Sequence, residues 1–120
     1  MGVVAWIVGL LAAAGFVMSG MAKISGQAMM EASRTKFGFA EQQWKGLGGL
    51  EVLGAVGVVL GLLTDGNLEI LGYLAAMGLI ITMIGALVHH QRAGDEPKEM
   101  VGAAVMLVLC VVYIIAIVVR

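Results

Sequence analysis

Charge is scarce in this chain. Only 12% of its 120 residues are Asp, Glu, Lys or Arg, roughly half the share found in an ordinary soluble domain. Seven basic residues against eight acidic ones leave a net charge of −1, which gives no electrostatic footprint for nucleic acid. Cysteine is reduced to Cys110, excluding an internal disulfide and a cysteine-based zinc site. Proline is reduced to Pro97, in a polar stretch near the start of the last apolar run. Complete nucleotide motifs are missing too. Gly46-Leu47-Gly48-Gly49-Leu50-Glu51 begins like a dinucleotide fingerprint but ends in Glu, and Gly15 to Gly20 has P-loop spacing but is followed by Met21-Ala22.

What fills the chain is apolar surface. Apolar residues make up 61% of the sequence, more than so small a soluble body can bury. They come in blocks long enough to cross a bilayer, which takes roughly 20 residues as a helix. The blocks are about 2–22, 46–63, 68–88 and 100–119. The first lacks the basic flank of a signal peptide and exceeds the usual length of its apolar region. The expected fold is all-α: one domain over 1–120, a polytopic membrane protein built as an antiparallel four-transmembrane-helix bundle.

The connections differ. Lys23 to Lys45 is long, and in it Met29, Met30, Phe37, Phe39 and Trp44 alternate with Glu31, Arg34, Lys36 and Glu41, with Gly38 as a break. The segment 27–45 therefore reads as amphipathic and interfacial. Thr64-Asp65-Gly66-Asn67 has turn chemistry. The third connection, His90 to Glu99, is polar. Lys23, Arg34, Lys36, Lys45, Arg92 and Lys98 fall on one side and Arg120 on the other, so connections one and three are expected in the cytoplasm and both termini outside, in a bacterial cell membrane.

The most informative residue is Glu51, expected roughly 7 Å below the cytoplasmic end of its span at 1.5 Å per residue. An intramembrane carboxylate is a functional candidate and needs a partner. The topology brings Lys23 and His89 to the same depth, with Ser19 and Thr82 one and two turns away, as a polar cluster that either binds a ligand or serves as a structural salt bridge. Gly54, Gly57 and Gly61 are expected to pack helices closely, bringing Glu51 against span one where Gly15 and Gly20 lie. Trp6, Tyr73 and Tyr113 read as an aromatic belt, and the nine Met residues as lipid-facing or packing bulk. Adjacent His89 and His90 point about 100° apart and suit one metal poorly. No metal site and no catalytic residue is expected.

These residues resemble the DoxX-like family of small four-helix membrane proteins. The likeness runs through Gly20-Met21-Ala22-Lys23, Phe37-Gly38-Phe39, Gly48-Gly49-Leu50-Glu51-Val52-Leu53-Gly54 and His89. One branch of that family is similar to the DoxD subunit of thiosulfate:quinone oxidoreductase, and another is associated with a membrane oxidoreductase complex that links oxidative-stress enzymes. The resemblance implies a non-catalytic subunit or assembly partner of a respiratory or oxidative-stress complex, with other subunits or further copies of the chain as partners and with any cofactor brought by a partner. A second reading is a binder of quinone, lipid or another small amphiphile at Lys23, Glu51 and His89. A third, a small multidrug-resistance-type transporter, fits less well: that family's Glu lies in span one, which has none here.

Overall fold

A computed structural model of the chain describes residues 1–63 and 66–120. Among these residues are five helices: α1 (Gly2–Ser25), α2 (Ala28–Phe37), α3 (Glu41–Leu62), α4 (Gly66–Arg92) and α5 (Pro97–Val119). All but α2 are long and apolar enough to cross a membrane. The long axis of 41 Å matches a bilayer with its headgroup regions, about 40–45 Å.

Local chemistry sets the boundaries. Gly26 (φ 72°) ends α1 and Gly38 (φ 80°) ends α2 in the left-handed region, which glycine reaches without a Cβ penalty. Gln43 accepts a hydrogen bond from the Ala40 N–H at 3.0 Å and so caps the start of α3. Pro97 stands at the start of α5, where no intrahelical donor is required. Helices run further than the apolar blocks do: α3 begins at Glu41, not near residue 46, and α4 extends to Arg92. Thr64 and Asp65 of the expected turn lie outside the described residues, while Gly66 and Asn67 belong to the first turn of α4.

The four long helices form a ring in the order α1, α3, α4, α5, and each is antiparallel to both neighbours. Glycines set the spacing. A Cβ on Gly20 would stand 2.5 Å from the Gly48 carbonyl, where α1 crosses α3. A Cβ on Gly61 would stand 2.4 Å from Gly72 Cα, where α3 crosses α4. Gly54 and Gly57 meet Leu79 and Ala75, also on α4. The expectation for these three glycines is thereby corrected: Gly54, Gly57 and Gly61 face α4, and the approach to α1 belongs to Gly48. At 100° per residue they sit about 60°, 120° and 80° from Glu51 around the helix, on the flank opposite Gly48. Gly15 likewise meets Met106 of α5, not α3.

The core is lined with alanines (Ala5, Ala12, Ala55, Ala76, Ala116) and filled by Phe16, Val58, Leu62, Leu79, Tyr113 and Ile117. Tyr113 is fully buried and donates to the Val58 carbonyl at 2.7 Å, so it is not part of an aromatic belt. Tyr73 is half-buried and bonds Glu69, and Trp6 is exposed. At the same end Arg120 donates to the carbonyls of Leu62 (2.7 Å), Gly61 (3.1 Å) and Leu63 (3.2 Å), capping α3. The outer face carries Val3, Ile7, Leu53, Leu74, Ile81, Val108 and Val118, all exposed, a contiguous apolar surface that lipid covers.

Gly61→Ala is expected to destabilise the bundle by about 1–3 kcal/mol, as overpacking does. Gly49→Ala, whose methyl meets nothing within 4 Å, is expected to be neutral or slightly stabilising. Thermal unfolding in detergent compares them, and equal melting temperatures would contradict the close α3–α4 crossing.

Candidate functional site

Among the described residues, one ion pair lies inside the bundle. Lys23 Nζ is 2.6 Å from Glu51 Oε1, and the two residues are 8% and 1% exposed. The Gly20–Gly48 crossing lets the side chains meet: the α1 and α3 backbones touch one turn away from each. The Lys23 ammonium also donates to Ser19 Oγ at 2.7 Å and lies 5.1 Å from the centre of the Trp44 ring, within reach of a cation–π attraction. Because α3 starts at Glu41, Glu51 sits about 15 Å along the helix from its first residue at 1.5 Å per residue.

Beside the pair lies a cavity of about 580 Å³ with walls from all five helices. Phe16, Met83, Ala103 and Met106 make its floor apolar, and Ser19, Lys23, Glu51 and His89 are among its polar groups. Such a mixture, mainly apolar with a few convergent polar groups, is typical of small-molecule sites. Two enclosed polar atoms of lining residues, Trp44 Nε1 and Glu51 Oε2, have no hydrogen-bond partner among the described residues, while Glu51 Oε1 is paired with Lys23. Buried polar atoms are nearly always bonded, and an unmet donor or acceptor costs about 1–3 kcal/mol.

Helix α2 contributes Met29, Met30, Ser33 and Phe37 to the lining. It buries no residue fully and is held from both sides. Phe37 stacks on His89 (5.7 Å between ring centres) and meets His90 edge-on (5.0 Å). Lys36 Nζ lies 2.6 Å from Asp95 and 3.5 Å from Glu99. Asp95 also accepts from His90 Nδ1 at 2.5 Å, so one carboxylate fastens α2 to the end of α4. Arg34 bonds Glu31 (2.8 Å) and the Phe39 carbonyl (3.1 Å).

Of the residues expected to cluster, Ser19, Lys23 and Glu51 are joined directly. His89 lines the same cavity, but its contacts are with the rings of Phe37 and Phe39 (5.7 and 4.9 Å). Thr82 lines it too, while its hydroxyl bonds the Gly78 carbonyl of its own helix at 2.9 Å. Trp44 is not interfacial: it is on α3, 3% exposed, against Lys23. Met29, Met30, Met83 and Met106 line the cavity, while Met18, Met21 and Met77 face outward as expected. The one signal that singles out Trp44 is spacing. It lies seven residues before Glu51 on α3, two turns along the same face.

The fold and site define a class: a small, four-span integral membrane protein with an internal ion pair opening on a largely apolar cavity. The sequence model of the DoxX-like family matches residues 7–113, and the chain belongs to that family. No curated protein and no solved structure matches it.

Lys23→Met is expected to destabilise the protein by about 3–5 kcal/mol, since it strands a buried carboxylate, and the double variant Lys23→Met, Glu51→Leu to recover most of the loss. Chemical denaturation in detergent measures both, and a double variant no better than the single would contradict the pairing. A second expectation concerns pH. The hydrogen bonds from Lys36 and His90 hold the Asp95 carboxyl below its ordinary 3.8, and Asp95 holds Lys36 above its ordinary 10.5. A depressed carboxyl stabilises above its unfolded value and loses this as pH falls through its folded one. A raised amine stabilises below its unfolded value and loses this as pH rises through its folded one. A nitroxide at exposed position 32 of α2 is therefore expected to stay immobile between pH 3.8 and 10.5 and to loosen outside that window. Lys36→Met is expected to loosen it at every pH.

Proposed function

We propose that this chain binds a small amphiphile, of the quinone or lipid class, with its polar head at Lys23, Glu51 and Trp44 and its apolar part against the cavity floor. The observation that carries this reading is the buried Lys23–Glu51 pair in the lining of a cavity whose remaining walls are mainly apolar. A salt bridge serving only to lock helix register has no need of an adjoining chamber of about 580 Å³. No chemistry is assigned to the chain alone, and an electron-transfer role would draw its cofactor from a partner. Lys and Arg gathered at the α2 end of the bundle support placing that end in the cytoplasm, so the ligand head would sit in the cytoplasmic leaflet.

A second reading, subunit of a larger respiratory or oxidative-stress complex, is favoured by one feature. An outward groove of about 490 Å³ runs between α3 and α4, lined by Gly54, Gly57 and Gly78 among leucines, and small residues at such faces let a neighbouring helix approach. The two readings are compatible, since a subunit can hold the complex's amphiphile.

Purification from native membranes in mild detergent, with mass spectrometry of what stays bound, separates them. A retained quinone or lipid is expected, and Glu51→Gln is expected to reduce its retention roughly tenfold with helicity unchanged. A chain that keeps no amphiphile, or a Glu51→Gln variant that retains it fully, would overturn the binding role. A stoichiometric oxidoreductase in the same preparation supports the subunit reading.

A further inference from the structure

The binding role proposed above requires a way in, and the seam between α1 and α5 supplies one. We infer that the cavity opens sideways into lipid where Ser19 is level with Gly102, and that its ligand is a long-chain amphiphile dissolved in the membrane, not a compound that arrives through water. The inference rests on that binding role.

The seam is closed along one stretch and open along the next. Tyr113 lies against Gly9, and a Cβ on Gly15 would stand 2.5 Å from Met106 Cε, so α1 and α5 touch there. Counting on from Gly15 and Met106 in opposite directions, as antiparallel helices require, brings Ser19 level with Gly102 and Lys23 level with Lys98. Ser19 and Gly102 both line the cavity. A Cβ on Gly102 would meet nothing within 4 Å, so no side chain of α1 reaches across to it. Exposure marks the same place. Among the described lining residues, Met29, Glu99 and Gly102 alone are exposed, the first near the start of α2 and the others near the start of α5. The flanks are apolar. Met18 and Met21 on α1 and Val101 and Val105 on α5 are all exposed, as on the rest of the lipid-covered surface. The polar edge is Glu99, 3.5 Å from Lys36. A mouth with charge at one edge and hydrocarbon at the other matches the boundary between headgroups and chains. By the same register it stands at the level of Lys23. An amphiphile whose head rests at that boundary therefore reaches the ion pair by moving sideways and keeps its depth. The α3–α4 groove is the rival route, since Thr82 lines both it and the cavity. There, however, the helices touch: Leu79 fills the space beside Gly54, and Ala75 the space beside Gly57.

The test follows a membrane-dissolved probe, 12-bromododecanol, whose bromine quenches indole fluorescence on contact. The full-length chain carrying Trp6→Phe and Cys110→Ala is reconstituted in phosphatidylcholine vesicles, which leaves Trp44 as the lone indole and an introduced thiol as the lone cysteine. Stopped-flow mixing is expected to give saturable quenching of Trp44. Alkylating Gly102→Cys with N-benzylmaleimide, in the folded protein, is expected to slow entry and exit of the probe by at least about tenfold each. Final quenching is expected to stay within about twofold, because an obstruction on the path changes both rates and leaves their ratio standing. The same alkylation of Gly78→Cys, in the α3–α4 groove, is expected to leave the rates as they are. A nitroxide on Gly102→Cys is expected to be more accessible to oxygen than to a water-soluble nickel chelate. No saturable quenching in the unmodified protein overturns the binding role itself. Quenching at rates indifferent to bulk at position 102, or slowed from position 78 instead, overturns the lateral mouth and leaves binding intact. Weaker final quenching without slowing overturns it as well, since position 102 is then wall and not entrance. A nitroxide that the nickel chelate reaches more readily overturns the entry from lipid and places the mouth in water.

Discussion

The Lys23–Glu51 pair inside the bundle organises one half of this molecule. A carboxylate placed that deep is tolerable only with its counter-charge in direct contact, and 2.6 Å is reached only because α1 and α3 touch at Gly20 and Gly48. A side chain at either glycine would hold the helices apart and strand both charges. Ser19 steadies the ammonium and Trp44 lies under it, so charge, crossing angle and aromatic wall depend on one another.

The two ends of the bundle are built on different rules. At the end where the chain starts and stops, Gly61 meets Gly72, Tyr113 bonds the Val58 carbonyl and Arg120 caps α3. Backbones are in contact there. At the other end the helices are spaced by Met83, Met106, Trp44 and the ion pair, and the space between them is the cavity. Helix α2 lines it without burying any residue of its own, held by rings and by Lys36 and Asp95. A rigid end and a more loosely built one suit a site that must admit a molecule without disturbing the packing that keeps the fold.

Much of this was legible in the sequence, and the reasons are specific. Four apolar blocks set the number of spans because lipid forbids unsatisfied backbone. The alternation of antiparallel spans put Lys23, Glu51 and His89 at one level. Gly38 and Pro97 marked helix boundaries through backbone conformation alone. Trp44 and Tyr113 were misplaced for one reason: an aromatic near the end of a span can face lipid headgroups or the bundle interior with the same periodicity. The glycines of α3 showed the same ambiguity, since about 60–120° of rotation separates a face toward α1 from one toward α4, and a lone helix does not say which neighbour stands on which side.

Fold class, span number and the identity of the buried charges were determined by the sequence by itself, because hydrophobic length and intramembrane charge are properties of the chain whatever it packs against. Which atoms end up satisfied was decided by the tertiary structure alone. Ser19 and Lys23 turn inward to Glu51, Thr82 turns back to its own helix, and His89 is taken up by Phe37 and Phe39. Trp44 Nε1 and Glu51 Oε2 are left over. Hydrogen-bond satisfaction depends on the mutual rotation of five helices, a long-range quantity that no local pattern of residues encodes.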